Sequence, residues 1–414
     1  MPDPAPPAPA ALDRRVLLAV LVAALGYFVD LFDLVLFSIV RVPSLKALGV
    51  TDPEQLTEVG KRLLDIQLTG MLLGGIAFGM LGDRMGRLKT LFGSILLYSV
   101  ANILNAFVTD VWQYEVLRFV AGFGLAGELG AGITLVAELL PTAKRGIGTT
   151  IVATIGLSGA VAAGVVGTYV AWNHCYLIGG IMGLALLALR VGVAESGLFA
   201  QARAHDVQHG NPLQLLWPPR RFARFAMVVL SAMPIWFVGG VMFIFAPEIG
   251  RAMGIAEPIV PGQVIFWAYL GVVAGDVASG TVSQLVQSRT RTILAFLALL
   301  AAAIALFFAV APRGPGWFYG MMCVVGAATG YWAIFVTTAS EQFGTNLRAT
   351  AATSAPNFVR AMAVPITSIW LWMKPGMGVV QATLVLGICC TAIGILAALA
   401  LDETFHRDLD YLEH

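Results

Sequence analysis

The sequence predicts an all-α membrane protein, with twelve transmembrane helices in two pseudo-symmetric six-helix bundles. Of its 414 residues, 58% are apolar, 12% are charged, and the mean hydropathy is +0.83. A soluble domain is about 45–50% apolar and about 25% charged. Apolar stretches of the roughly 20 residues that cross a bilayer recur along the whole chain. The second half also repeats loop residues of the first at a nearly constant offset. This composition excludes disorder, an ordinary soluble enzyme and a nucleic-acid binder. Lys+Arg 25 against Asp+Glu 24 gives a net charge of +1, which points to no polyanionic partner.

Taken in chain order, Met1–Leu12 is rich in Pro and Ala. It has neither a positive cluster nor a short apolar core, so it is expected to be a disordered tail and not a cleavable signal. Six spans follow at 16–40, 63–82, 90–108, 114–136, 147–171 and 175–194. The longest polar break, Glu195–Arg221, contains Asn211-Pro212 and Pro218-Pro219 and divides the chain. Six more spans lie at 222–246, 262–286, 292–310, 317–339, 350–372 and 379–401. The expected organisation is a tail (1–12), a first bundle (13–195), a linker (196–221), a second bundle (222–402) and a tail (403–414). Gly 45 suits helices whose backbones pack closely in a membrane. The four cysteines show no metal-ligand spacing and read as small core residues.

Placing both termini on one side puts 16 Lys and Arg in that side's loops and 7 in the others, with Arg118 and Arg360 inside spans. The positive-inside rule then makes the tails and the linker cytoplasmic.

The repeats are specific. Gly86-Arg87-Leu88-Lys89-Thr90 after span two matches Ser288-Arg289-Thr290-Arg291-Thr292 after span eight, at an offset of 202. Glu138 and Arg145 after span four match Glu341 and Arg348 after span ten, at an offset of 203. Ala194-Glu195-Ser196 matches Asp402-Glu403-Thr404. Two parallel halves with a site between them is the layout of a rocking transporter.

The loop Gly82-Asp83-Arg84-Met85-Gly86-Arg87-Leu88-Lys89 resembles the one that marks the major facilitator superfamily. Arg118-Phe-Val-Ala-Gly122-Phe-Gly124-Leu-Ala-Gly127-Glu128 resembles span four of its sugar-porter and metabolite–proton-symporter branches. Glu138 with Pro141 and Arg145 resembles their next loop, Glu341 with Arg348 its second copy, and Asp402-Glu403-Thr404 their tail, with Asp in place of Pro. The resemblance implies that Gly82, Asp83, Arg84, Gly86, Arg87, Glu138, Arg145, Glu341 and Arg348 gate the cytoplasmic side. Spans five and seven lack the glutamines of sugar porters, so a sugar is disfavoured.

Charges inside the membrane carry the functional reading, because each costs roughly 2.5–3.5 kcal/mol at a helix centre. Asp30 and Asp33 of span one share a face and differ in height by about 4.5 Å. Asp33 and Arg118 both fall in the outer halves of their spans. In the resembling symporters such an acid pairs with such an arginine and releases it on protonation. The run Asp30-Leu-Phe-Asp33 also resembles span one of aromatic-acid–proton symporters. Asp33, Asp30, Glu128 and Arg118 are therefore the proton-coupling candidates.

Arg360 lies near the midplane of span eleven, one turn from Asn357. It either binds a substrate anion or pairs with Asp276 of span eight. Among the aromatics Trp236, Phe237, Trp267, Tyr269, Tyr331 and Trp332, the last two sit mid-span beside Gly326 and Gly330 and are the cavity candidates. The substrate-site set is Arg360, Asn357, Tyr331, Trp332 and Asp276.

The expectation is a proton-coupled symporter of a small organic anion in the cytoplasmic membrane. It would be monomeric and driven by the proton gradient, with no cofactor, no metal and no nucleic-acid partner. No nucleophile–base constellation suggests an enzyme. Two alternatives stand: a proton-driven exporter of organic cations or drugs, and a transporter-like ligand sensor.

Overall fold

The computed structural model describes residues 14–85, 87–126, 142–195 and 217–405, together with Leu215. It contains no strand among the described residues. Each predicted span has a helical counterpart. Spans one to three are Arg14–Ala47, Pro53–Met85 and Arg87–Asn105. The described part of span four is Val111–Leu125. Spans five and six are Thr142–Tyr169 and Trp172–Glu195. Spans eight and nine are Pro261–Val286 and Arg289–Ala309. The chain is therefore a multi-pass membrane protein. Among the described residues, eight helical stretches are long and apolar enough to cross a bilayer by length and composition, and one of them, Thr350–Leu399, holds both span eleven and span twelve.

Among the described residues, three spans depart from plain helices. Span seven begins as Pro219–Phe237 and widens into a π-helical turn over Val238–Phe243. Pro234 lies inside this helix and cannot donate to the carbonyl four residues back. Gly239 and Gly240 follow within the turn, and such turns concentrate at functional sites. Span ten is two half-helices, Pro315–Ala328 and Trp332–Glu341. Span eleven runs Thr345–Ala361 and continues from Ala363 to a break at Gly378. Gly378 has φ +79°, a left-handed conformation that favours glycine, and span twelve follows it.

The packing repeats between the halves. Span one packs on five and six, and span seven on eleven and twelve. Span two packs on four, and eight on ten. Glycines set these approaches. Gly70 and Gly74 lie against the backbone of Phe119 and Phe123, while 201 residues on, Gly271 and Gly275 lie against that of Cys323 and Ala327. Gly122 faces the Gln67 carbonyl as Gly326 faces that of Ala268. Between the halves, span five meets eight and span two meets eleven. At the first of these seams Gly164 and Gly262 bring the backbones together.

Gly326→Leu is expected to force spans eight and ten apart, at a cost of about 1–3 kcal/mol. Gly320→Ala adds its carbon to open space and should be neutral. Melting of the detergent-solubilised variants checks both.

Candidate functional site

A cavity lies between the halves. Tyr27, Ser38 and Gln67 line it from the first half, and Trp236, Phe243, Tyr269, Trp332 and Arg360 from the second, among aliphatic side chains. It encloses about 80 Å³ in this conformation, well below the roughly 300–1,000 Å³ of a drug-sized pocket. Among its described lining residues, Arg360 carries the one charge.

Arg360 is 1% exposed, and its Nη2 lies 3.8 Å from Asp30 Oδ2 across the two halves. Its Nε and Nη1 have no hydrogen-bond partner. The guanidinium therefore borders the cavity with two donors buried and unbonded, while Asp30 balances part of its charge. Asp30, at 0% exposure, does not line the cavity.

This arrangement corrects the expected Arg360–Asp276 alternative. Asp276 Oδ1 accepts from the Ala333 N–H at 3.0 Å, at the start of the second half-helix of span ten. The break at Thr329–Tyr331 leaves the first N–H groups of that half-helix without helical acceptors, and a carboxylate there also meets the positive end of the helix dipole. Gly330 makes this possible by lying against the Gly275 and Asp276 backbone. Asp276 is a helix cap and not the partner of Arg360.

Asp33 and Arg118 are both buried, but they form no direct ion pair. Arg118 Nη2 donates to Asn102 Oδ1 at 2.6 Å, and its guanidinium lies over the Tyr176 ring at 4.8 Å. Asn102 also reaches toward Asp33 without meeting hydrogen-bond geometry, so it stands between acid and base. Gly179 of span six clears the space the Asp33 carboxylate occupies. Neither Asp33 carboxylate oxygen has a hydrogen-bond partner.

Trp332 lines the cavity as expected, and Tyr331 does not: its hydroxyl donates to the Ser231 carbonyl at 3.0 Å and ties span ten to seven. Asn357 packs against Gly75 at the crossing of spans two and eleven. Tyr27, Gln67, Trp236 and Tyr269 line the cavity without having been singled out as site residues. Tyr27 and Tyr269 both lie within electrostatic reach of Arg360.

Of the gating set, Glu341 accepts from Arg289 Nε at 3.4 Å and from Thr404 Oγ1 at 2.7 Å. Arg348 lies in the first turns of span eleven. Gly82, Asp83 and Arg84 end the helix of span two, Arg87 opens span three, and Arg145 lies in the first turn of span five. The side chains of Asp83, Arg84, Arg87 and Arg145 lie outside the described residues, as do Gly86, Glu128 and Glu138. Glu403 seals the start of span nine, accepting from the Ser288 hydroxyl and from the N–H groups of Arg289 and Thr290. Burial alone would raise its pKa. Those donors and the Phe405 N–H outweigh burial and hold it below the usual carboxylate range.

A double-mutant cycle read by melting should show Arg360 coupled to Asp30 and additive with Asp276. Arg360→Ala alone leaves a buried acid uncompensated, at a cost of about 3–5 kcal/mol. Asp30→Ala should recover part of that loss, and Asp276→Ala none of it.

The family model described as Major Facilitator Superfamily matches residues 23–367. A Bacillus subtilis (strain 168) protein named for niacin/nicotinamide transport is 25% identical over 84% of this chain and 86% of its own. The 3-(3-hydroxy-phenyl)propionate transporter of Escherichia coli (strain K12) is 26% identical over 58% of this chain and 59% of its own. The 4-hydroxybenzoate transporter PcaK of Pseudomonas putida is 31% identical over 34% of this chain and 33% of its own.

Proposed function

The chain belongs to the Major Facilitator Superfamily, and from that premise we propose that it is a proton-coupled symporter of a small aromatic carboxylate. Its termini face the cytoplasm, in the inner membrane. Family and relatives are transporters, and the chain is not an enzyme.

The observation that carries the substrate sign is Arg360, the one charge lining the cavity, with two donors unmet. A carboxylate forks onto a guanidinium, whereas an organic cation would be repelled there. The surrounding rings of Tyr27, Trp236, Phe243, Tyr269 and Trp332 suit a flat apolar body. The three relatives are named for acids or amides that each carry one ring, which supports the same reading.

Coupling follows from competition for one guanidinium. Ionised Asp30 holds part of the Arg360 charge. A proton on Asp30 ends that claim, and the substrate carboxylate then meets an uncompensated cation. Proton and anion favour each other through a shared partner, which is linkage between two sites. Asp33 is a second carrier of the same kind, facing Arg118 through Asn102.

Uptake of labelled 4-hydroxybenzoate and nicotinate into proteoliposomes under an inward proton gradient tests this. The native protein should accumulate one of them against its gradient. Asp30→Asn should still exchange substrate but not accumulate it. Arg360→Lys should raise the half-saturating concentration roughly tenfold or more, because lysine loses the planar fork. Undiminished accumulation by Asp30→Asn would remove that residue from coupling. Unchanged saturation in Arg360→Lys would reopen the cation reading.

A further inference from the structure

The two halves are also joined at the end away from both termini, through Arg41. Span one buries this arginine completely, at 0% exposure. Its Nη2 donates to both carboxylate oxygens of Glu248, at 2.7 and 2.9 Å, and to the Ile244 carbonyl at 3.0 Å. Its Nη1 donates to the Leu56 carbonyl at 3.2 Å, and the guanidinium lies over the Phe245 ring at 4.7 Å. Thr57 Oγ1 reaches Glu248 Oε1 at 3.4 Å. Gly60 leaves room for the arginine stem, which a side chain there would displace. Leu56, Thr57 and Gly60 belong to the first half, and Ile244, Phe245 and Glu248 to the second.

We propose that Arg41 and Glu248 form the latch of the outer mouth, connected to the cavity by the π-helical turn of span seven. Two features make the pair a latch and not a rivet. A buried ion pair gains in attraction about what it loses in hydration, so separating the partners into water costs little. The acceptors also sit at the end of an irregular turn. Phe243, the last residue of that turn, and Ile244 line the cavity, and the Ile244 carbonyl is held by Arg41. A π turn returns to α geometry by shifting one residue, which would move Ile244 and Glu248 together relative to span one. A ligand that presses on Phe243 thus acts on the latch through one turn of backbone.

This inference rests on the membrane orientation proposed above, and the test separates the two. Ser38, which lines the cavity below Arg41, is replaced (Ser38→Cys) in a background where Cys175, Cys323, Cys389 and Cys390 are serine. Reaction with a charged, membrane-impermeant methanethiosulfonate is then timed in right-side-out and inside-out vesicles. Glu248→Gln removes the charge at nearly constant volume, and Arg41→Lys is the second variant should the first fail to insert. Either should speed labelling from the outside roughly tenfold and slow it from the inside, because one population grows at the expense of the other. Faster labelling from both sides would mean general loosening and would overturn the latch, as would no change. Opposite changes with the sides exchanged would uphold the latch and overturn the orientation.

Discussion

The ion pair between Asp30 and Arg360 constrains the rest of this molecule. It joins the halves at the depth where substrate would sit, and neither partner is in contact with water. Burial makes each charge depend on the other, because an isolated one would cost several kcal/mol. At 3.8 Å the pair is close enough to balance charge and leaves the other guanidinium donors unspent. The first half supplies the acid and the second supplies the base, so occupation of the site bears on how the halves sit together. The seams between five and eight and between two and eleven, where glycines allow close approach, lie to either side of the site.

The two layers of charge along span one have different surroundings. Asp30 and Asp33 face fixed arginines at the centre, one across the halves and one within its own half. Arg41, about two turns beyond Asp33, faces a carboxylate of the other half beside a flexible turn. A single helix therefore carries the residues proposed to sense the proton and the residue proposed to hold the outer mouth shut. Span one is also the most buried of the candidate membrane spans among the described residues.

Much of the fold was legible because membrane spans announce themselves by length and composition. The duplication was legible because loop charges repeat at a fixed offset, and the paired glycines of spans two and eight repeat at nearly the same one. The site was legible residue by residue but not pair by pair. Heights along a helix placed Asp33 level with Arg118 and Arg360 near Asp276. Pairing also needs the direction each side chain faces, which depends on how ten other helices pack. Asn102 therefore went unseen between Asp33 and Arg118, and Arg360 found its partner in the opposite half. Asp276 had a readable signal: an acid in span eight facing a glycine-rich break in span ten suggests a capped half-helix. Arg41 falls just past the apolar run that marks span one at 16–40 and so reads as a loop charge, whereas the helix runs on to Ala47. Glu248 lies in a short helix between spans, Ala246–Ala252, and no local pattern ties it to a residue 207 positions earlier.

The central claim is that a proton and an organic anion bind together because both act on one guanidinium. Proton uptake on ligand binding tests it most directly. The purified protein is held in weakly buffered detergent solution with a pH indicator, and 4-hydroxybenzoate or nicotinate is added at neutral pH. The account predicts that whichever binds brings up to about one proton with it, and that it binds more tightly as the pH falls. Binding at neutral pH with no proton taken up, and with an affinity independent of pH, would contradict it.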